Sequence, residues 1–225
     1  MPKKLSHREA MDRIFAAEDH LTNFRDWVDW RVANDPHAAV GGFWEEMGRL
    51  QLKYLKDHGL QPQHTLLDFG CGTLRAGRHF IRFLAAGCYT GVDISPAALE
   101  YAKNLVREEG LSDKNARLLL NEQVDRTFAD LGTFDFILAQ SVFSHLQEPQ
   151  IEDILRNVHG AMTERSKFFF TFNSAPHPKE LSKKDFAYPI SWFVQAGAKY
   201  GLRVELMKDY PHPRHQKMAV AVKAS

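Results

Sequence analysis

The stretch TLLDFGCGTLRAG, Thr65 to Gly77, predicts a buried β-strand, a tight glycine turn and the start of a helix. Asp68 ends the strand, and Gly70 and Gly72 shape the turn. Glycine has no Cβ, so a ligand can lie directly against the backbone of such a turn. The first turn of the helix adds free N–H groups and a partial positive charge. We therefore expect this segment to bind a flat, extended and partly anionic ligand such as a nucleotide.

A dinucleotide site with the pattern G-x-G-x-x-G is the main alternative for this turn. The third glycine of that pattern permits close helix–strand packing, but here its position holds Arg75, and the next glycine is Gly77. Downstream, the segment YTGVDIS (89–95) predicts a short strand that ends in Asp93. An acid at this place can accept hydrogen bonds from the ribose hydroxyls of either NAD or S-adenosylmethionine. Asp93 alone does not choose between the two ligands.

Three segments, LLDFGCGTLRAG, GVDIS and FDFILAQSVFSHL (134–146), resemble motifs I, II and IV of the class I S-adenosylmethionine-dependent methyltransferases. The similarity runs in order over residues 65–146. Two flanking segments, 43–55 and 212–218, resemble a bacterial subgroup that methylates small molecules. Motif I of the family more often has a glycine where this chain has Leu74, which makes the loop less open. The resemblance implies S-adenosylmethionine as the cofactor and methyl transfer as the reaction, and it says little about the acceptor.

The composition is that of an ordinary globular enzyme of 225 residues, with 44% hydrophobic residues and a formal net charge of +1. So small a charge gives no general attraction to nucleic acid or an anionic membrane, and we expect neither as a partner. The first residues lack the apolar core of a signal peptide, and no apolar run reaches the length of a membrane span. The two cysteines, Cys71 and Cys88, fit reduced packing residues. We expect a cytoplasmic protein that is a monomer or a homodimer.

Alternating strand-like and helix-like segments favour an α/β fold, a Rossmann-like sheet of mostly parallel strands joined by helical crossovers. Seven strands are predicted, at 65–68, 89–93, 116–120, 134–139, 167–173, 202–209 and 218–223. The turn before the last strand is too short for a crossover, so the seventh strand must be antiparallel. Helices are predicted up to residue 35, at 42–58 and at 185–200, among others. We assign residues 1–60 to an N-terminal helical cap and residues 61–225 to the S-adenosylmethionine-binding methyltransferase domain.

The cofactor should bind beyond the carboxyl ends of the parallel strands, where open α/β sheets place their ligands. The candidate cofactor-binding residues at these ends are Asp68, Phe69, Gly70, Cys71, Gly72, Arg75, Asp93, Ile94, Asn121, Glu122, Gln140 and Ser141. We expect Asp93 to bind the ribose, although it could instead cap the next helix, a role that Ser95 fits better. Asp68 should hold the turn and the ammonium group of the cofactor.

Two further cofactor contacts have alternatives. Either Asn121 or Glu122 is expected to accept from the adenine amino group, with Ile94 and Leu120 on the two faces of the ring or, for Leu120, in the core. Arg75 either pairs with the cofactor carboxylate or is a solvated arginine with local salt bridges.

His145 follows the fourth strand and is the best-placed candidate for a general base, which would assist a hydroxyl acceptor, and His177, His212 and His215 are the other candidates. The candidate acceptor-binding residues are Trp44, Phe143, His177, Tyr188, His212, Arg214 and His215. The aromatic residues Trp27, Trp30 and Phe43, with Arg25, either form a wall over the acceptor or a packing face. The turn 211–216 is either a polar hairpin turn or a lid in which Arg214 reaches an anionic group. No histidine spacing indicates a metal site, so none is expected.

The function predicted first is methyl transfer by in-line displacement to a small-molecule or sugar-like acceptor. The alternatives are a methyltransferase for RNA or protein and a non-catalytic module that binds S-adenosylmethionine. A dehydrogenase is disfavoured by Arg75 and by the antiparallel last strand. An RNA enzyme is disfavoured because no basic arm is present, and because the fourth strand ends in AQSV rather than in an NPPY-like tetrad.

Overall fold

The computed structural model describes residues 5–17, 19–121 and 128–224. Over these residues the strands are β1 (Leu66–Phe69), β2 (Tyr89–Asp93), β3 (Arg117–Leu120), β4 (Phe134–Ala139), β5 (Met162–Ser174), β6 (Lys179–Ser182), β7 (Asp185–Tyr188), β8 (Leu202–Met207) and β9 (Lys217–Lys223). The helices are α1 (His7–Ile14), α2 (His20–Asn34), α3 (Pro36–Ala39), α4 (Trp44–Asp57), α5 (Gly77–Phe83), α6 (Pro96–Glu108), α7 (Glu148–Val158) and α8 (Ile190–Lys199). Within the described chain, no helix is both long and apolar enough to cross a membrane.

The main sheet confirms the predicted α/β architecture. Strands β3, β2, β1, β4 and β5 lie side by side in that order and are parallel. Strand β9 pairs antiparallel with β5, and β8 pairs antiparallel with β9. This arrangement brings the carboxyl ends of the parallel strands to one edge, where the motif residues lie.

Apolar cores cover both faces of the sheet, because alternate residues of each strand point to opposite faces. In β5, Phe168, Phe170 and Phe172 join one core, whereas Phe169 joins the other. In β1, Leu67 joins the core that contains Phe168, and Leu66 joins the core that contains Phe169. A strand that is buried on both faces is a continuous apolar run, which is why KFFFTF is so strong a strand signal.

The hairpin of β6 and β7 departs from the prediction, which placed a helix over 185–200. Residues 185–188 instead form β7, whose end runs parallel to Asn173 and Ser174 of β5. Phe186 and Tyr188 are buried, and the Tyr188 hydroxyl donates to the carbonyl of Leu146 at 2.7 Å. These long-range contacts outweigh the local helical pattern, and α8 begins only after Pro189. The hairpin extends the sheet beyond the seven predicted strands.

Over residues 5–17 and 19–57 the N-terminal segment forms helices α1 to α4, and the helical segment predicted up to residue 35 ends where α3 follows α2. The Asp35 carboxylate accepts the N–H groups of His37 and Ala38, and Pro36 occupies the first turn of α3, where its missing N–H has no cost. Asp29 of α2 accepts hydrogen bonds from the hydroxyl of Ser95 and the N–H of Ala97 at the start of α6. The division of the chain at residue 60 stays a prediction.

Helix α4 lies against the loop that follows β1. A Cβ atom added to Gly48 would lie 2.4 Å from the carbonyl oxygen of Arg75. On the same helix, Glu45 pairs with Arg78 of α5, and Arg78 also pairs with Glu109 at 3.1 Å. Glycine at position 48 therefore sets how closely α4 approaches the glycine turn.

We predict that Gly48→Ala lowers the free energy of unfolding by about 1–3 kcal/mol, because the new methyl group overlaps a backbone oxygen. The gain in helix propensity, about 1 kcal/mol, opposes this effect but is smaller. Urea denaturation followed by circular dichroism measures the change. Arg49→Ala, at an exposed neighbouring position of α4, serves as control and should change stability by no more than about 0.5 kcal/mol. Equal stability of Gly48→Ala and the wild type would contradict the close contact.

Candidate active site

A cavity of about 620 Å³ lies at the carboxyl edge of the parallel strands. Its floor is the loop after β1 together with the ends of β2, β3 and β4. Its walls come from α2, the segment 38–43, the β6–β7 hairpin and the turn between β8 and β9. The predicted residues that line it are Asp68, Phe69, Gly70, Cys71, Gly72, Arg75, Asp93, Ile94, Asn121, Gln140, Ser141, His145, His212 and Arg214.

The glycine turn is held by protein contacts. Gly70 and Gly72 have φ angles of 76° and 55°, which glycine adopts without strain. An added Cβ would lie 2.5 Å from Val142 at Gly70 and 2.5 Å from Val40 at Gly72. The sequence analysis attributed these glycines to the close approach of a ligand. In the structure, the space beside each glycine is instead filled by a valine side chain.

Leu74, the departure from the commoner motif, also adopts a positive φ angle of 65° and is fully buried. The left-handed conformation costs a non-glycine residue roughly 1–2 kcal/mol, and burying a leucine side chain stabilises by a similar amount. The third glycine of the dinucleotide pattern, whose position Arg75 occupies, permits close helix–strand packing. Here Gly77 permits it instead, because an added Cβ at Gly77 would lie 2.4 Å from the Tyr89 hydroxyl of β2. Helix α5 thus approaches the sheet closely despite Arg75.

Asp93 is the central acceptor of the floor. Its Oδ2 accepts the Gly72 N–H at 2.7 Å and its Oδ1 accepts the Ser95 N–H at 2.9 Å. Each oxygen retains a second lone pair, and Asp93 lines the cavity. Burial raises the pKa of this carboxyl group. Ser95 caps α6 by accepting the Ala98 N–H, so the alternative role of Asp93 as the helix cap is wrong.

Asp68 lies deeper, at the end of β1. Its Oδ2 accepts the Tyr89 hydroxyl at 2.7 Å, which fixes the side chain behind the turn. Burial raises the pKa of Asp68 to about 7, and the nearby charge of Asp93 acts in the same direction. A cationic group bound beside Asp68 would favour its ionised form.

Arg75 is buried rather than solvated, and among the described residues it forms no salt bridge, so that alternative is wrong. Its Nη1 donates to the carbonyls of Val40 and Gly42, whereas its Nε has no hydrogen-bond partner. A buried donor without a partner is costly unless a ligand satisfies it. Arg75 therefore suits an anionic group in the cavity.

The end of β4 carries a polar network that the sequence showed only in part. Gln140 accepts a hydrogen bond from the Tyr210 hydroxyl at 2.7 Å. The Ser141 N–H donates to the hydroxyl of Thr171 at 2.7 Å, and the Ser141 hydroxyl donates to Gln216 at 2.9 Å. Tyr210 and Thr171 were missed because nothing in their own neighbourhoods indicates a site, and Gln216 was noted only as the end of the turn 211–216. The network joins β4, β5 and the turn before β9.

His145 lies against the β6–β7 hairpin. Its Nδ1 is 3.0 Å from Oδ1 of Asp185 and 2.9 Å from the carbonyl of Lys184. Burial alone would raise the pKa of Asp185, but the hydrogen bond and charge of His145, together with Lys184, hold that pKa well below its usual value. Phe24 of α2 stacks on the imidazole at 4.8 Å between ring centres. Asp185 was missed because its segment was predicted to be helical.

Several predicted acceptor residues lie elsewhere. Phe143 is fully buried in the core against Phe170, and Tyr188 is buried under its bond to Leu146. Trp44 stacks on His37 and lies beside Arg78, away from the cavity. His177 and His215 are exposed and do not line the cavity. These placements overturn the five predictions Trp44, Phe143, His177, Tyr188 and His215.

The aromatic wall is made of fewer residues than predicted. Phe43 and Trp27 line the cavity, and so does Phe24, which the sequence analysis left out. Trp30 and Arg25 do not line it. After β2 and β3, Ile94 and Asn121 line the cavity, Leu120 is 47% exposed, and Glu122 lies outside the described residues. Among the residues that the structure describes, no three metal-ligating side chains come together.

Comparison with known proteins gives a family match for part of the chain and solved structures with a similar fold. Residues 67–168 match the family described as Methyltransferase domain. Among solved structures, magnesium protoporphyrin IX methyltransferase from Synechocystis, with bound SAM, aligns with a TM-score of 0.69 over 93% of this chain and 99% of that one, at 15% identity. A TehB-like SAM-dependent methyltransferase from Corynebacterium glutamicum aligns with a TM-score of 0.59 over 92% and 98%, at 21% identity.

Curated relatives differ in their acceptors. Geranyl diphosphate 2-C-methyltransferase from Saccharopolyspora erythraea is 35% identical over 41% of this chain and 34% of its own length. Human EEF1A lysine methyltransferase 2 is 28% identical over 61% and 56%. Ribosomal protein L11 methyltransferase from Tolumonas auensis is 27% identical over 72% and 59%. This chain therefore spans less than two thirds of the length of these relatives.

The matched residues and the fold resemble those of methyltransferases, and one of the solved structures with this fold contains bound SAM. The residues present fit this cofactor, since Asp93 has free lone pairs for hydroxyl donors and Arg75 has a buried donor without a partner. The small-molecule subgroup stays a prediction.

We predict that Asp93→Asn weakens the binding of S-adenosylhomocysteine and of methylthioadenosine alike, by about tenfold to a hundredfold, because both ligands carry the ribose. Calorimetric titration gives both dissociation constants. Asp113→Asn is the control, since Asp113 is an exposed aspartate that does not line the cavity, and the affinity of this variant should stay within about twofold of the wild type. Unchanged affinity in Asp93→Asn would remove the ribose assignment.

The raised pKa of Asp68 gives a second prediction, which concerns pH. Below pH 7 the ligand-free carboxyl is protonated, and a cationic amino group must displace that proton to bind. We expect S-adenosylhomocysteine to bind roughly tenfold more weakly at pH 6 than at pH 8. Methylthioadenosine, which lacks the amino group, should show no such change, and neither should S-adenosylhomocysteine in Asp68→Asn. A pH-independent affinity in the wild type would place the amino group elsewhere.

Proposed function

We propose that this chain transfers the methyl group of S-adenosylmethionine to a small-molecule acceptor and that His145 is the general base. The main observation that supports this proposal is the cavity, which is covered by α2 and the segment 38–43 and has His145 in its wall. Such a covered space suits a compact acceptor better than a folded macromolecule. Residues 1–60 act as the cap and residues 61–225 as the catalytic domain in this proposal.

The bound cofactor supplies an electrophilic methyl group on a positively charged sulfur. The chain holds the cofactor through Asp93 at the ribose, Asn121 and Ile94 at the adenine, Asp68 at the ammonium and Arg75 at the carboxylate. Each of these residues lines the cavity, which supports the assignment. Their fixed positions reduce the entropic cost of alignment between the methyl group and the acceptor.

His145 is suited to take a proton from a hydroxyl acceptor. Because Nδ1 faces two acceptors, Asp185 Oδ1 and the Lys184 carbonyl, the neutral ring carries its proton there. Nε2 is then the nitrogen that can accept a proton. Asp185 acts on the reaction through His145 by fixing its tautomer and by stabilising the imidazolium. The apolar ring of Phe24 on His145 excludes water from this side.

A protein acceptor is the second candidate, favoured by the longer alignments with the EEF1A lysine and ribosomal protein L11 methyltransferases.

A screen with tritium-labelled cofactor separates the two candidates. Sugars, phenols and amines form one panel, and lysine-containing peptides and purified ribosomal protein L11 form the other. Before the screen, calorimetry with S-adenosylhomocysteine, and with NAD as control, tests the cofactor assignment in the purified protein. Binding without any transfer to either panel would favour the non-catalytic module.

We predict that His145→Asn lowers turnover of a hydroxyl acceptor by about 10²–10⁴-fold, because the general base is lost. Its affinity for S-adenosylhomocysteine should stay within about twofold, since the proposed cofactor contacts lie elsewhere. The matched control is His177→Asn, a histidine at the same sheet edge but outside the cavity, which should retain full turnover. Turnover that is equally high in both variants would make His145 a structural residue.

A further inference from the structure

Three arginines from distant parts of the chain meet at one rim of the cavity. Arg31 of α2, Arg75 after β1 and Arg214 before β9 each donate to backbone carbonyls of the segment 38–42. All three line the cavity, and we refer to them as the arginine cluster. A Cβ added to Gly41 would lie 3.2 Å from Nη1 of Arg214 and 3.6 Å from Nη1 of Arg75. The guanidinium groups of Arg75 and Arg214 are therefore neighbours.

Among the described residues, no carboxylate pairs directly with Arg75 or Arg214, although the nearby charge of Asp68 acts to raise the pKa of Arg75. Within 5–17, 19–121 and 128–224, neither side chain takes part in a salt bridge. Arg75 is only 9% exposed, and its Nε has no partner. Burial lowers the pKa of Arg75 to about 10, and the charge of Arg214 acts in the same direction. Two adjacent cations, one of them buried, are an unfavourable arrangement unless anions bind there.

His212 adds a further hydrogen-bond donor beside Arg214. Burial, together with the charges of Arg75 and Arg214, lowers the pKa of His212 to about 4, so the ring is neutral at pH 7. The Arg214 N–H donates to Nδ1 of His212 at 3.1 Å. The ring proton is therefore on Nε2. This turn presents a guanidinium and an imidazole N–H to the cavity, both suited to an anion.

An apolar surface adjoins these donors. The guanidinium of Arg214 lies 5.5 Å from the centre of the Phe43 ring, and Met47 and Trp27 also line the cavity. A ligand that satisfied both surfaces would have an apolar or aromatic body and one anionic end. Such pairing of a charged anchor with an apolar wall is common in small-molecule sites.

We infer that the methyl acceptor carries a carboxylate or phosphate group and that Arg214, with His212, binds this group at the cavity rim. The inference rests on the proposed function and extends it to the class of acceptor. The cofactor brings a single carboxylate, which Arg75 takes because it follows the glycine turn directly and has the buried unsatisfied donor. Arg214 comes from another segment and remains for a second anion.

Paired probes test the charge preference. 4-Hydroxybenzoate is compared with 4-hydroxybenzamide, and phenyl phosphate with phenol, by calorimetric titration into protein saturated with S-adenosylhomocysteine and into ligand-free protein. We expect the charged member of at least one pair to bind about tenfold to a hundredfold more tightly, as a charge-assisted hydrogen bond allows. Arg214→Gln should reduce this preference to about twofold or less. Arg203→Gln, an exposed arginine that does not line the cavity, should leave it unchanged.

Cofactor affinity in the same variants separates the two arginines. Arg214→Gln should bind S-adenosylhomocysteine within about twofold of the wild type, whereas Arg75→Gln should bind it at least about tenfold more weakly. Methylthioadenosine, which has no carboxylate, should bind all variants alike. Equal losses of S-adenosylhomocysteine affinity in both variants would show that the two arginines share the cofactor carboxylate, which overturns the inference.

The inference would also be overturned if neither probe pair showed a preference for its charged member, or if no probe bound at all. These results stay distinct from failure of the proposed function, which would show as no binding of S-adenosylhomocysteine to the wild type. Protein that binds S-adenosylhomocysteine but prefers no anion contradicts the anion site alone.

Discussion

The buried carboxylate of Asp93 joins the parts of the molecule on which the site depends. It accepts one backbone N–H from the turn after β1, at Gly72, and one from Ser95 at the start of α6. The Ser95 hydroxyl in turn donates to Asp29, so the N-terminal helix α2 belongs to the same chain of hydrogen bonds. A charged group is buried here at a cost that only such hydrogen bonds offset. The floor of the cavity and part of its cover thus share one anchor.

The cover is attached mainly where backbones approach closely and where arginines reach carbonyl oxygens. Gly48 and Gly72 leave room for the Arg75 carbonyl and for Val40, respectively. The arginine cluster then holds the segment 38–42 through its carbonyl groups. These contacts depend on the loop after β1, because it supplies both Gly72 and Arg75. The geometry of the cavity walls is consequently set by the same loop that forms its floor.

Sequence periodicity and turn chemistry predicted the parallel strands and the antiparallel last strand of the main sheet. Strands such as KFFFTF and turns such as GCG are specified by neighbouring residues, and the predicted cofactor-side residues that the structure describes line the cavity. The errors in the predicted acceptor residues arose because the sequence places a residue along the chain but does not tell which way its side chain points. Phe143 and His145 are two residues apart after β4, yet one points into the core and the other lines the cavity. The β6–β7 hairpin was missed because its strands are stabilised by pairing with a distant segment.

This contrast explains why the cofactor could be inferred before the acceptor. The floor of the cavity comes largely from two strand–turn–helix units, β1–α5 and β2–α6, which are each continuous in sequence, and the ends of β3 and β4 lie beside them. The acceptor side combines α2, the segment 38–43, His145, the β6–β7 hairpin and the turn before β9, which meet only in the folded chain. Relatives that share the domain are named for geranyl diphosphate, a lysine of EEF1A and ribosomal protein L11, so the shared floor does not determine the acceptor. The charges and apolar surfaces of this chain's own walls are therefore the physical basis for inferring what it methylates.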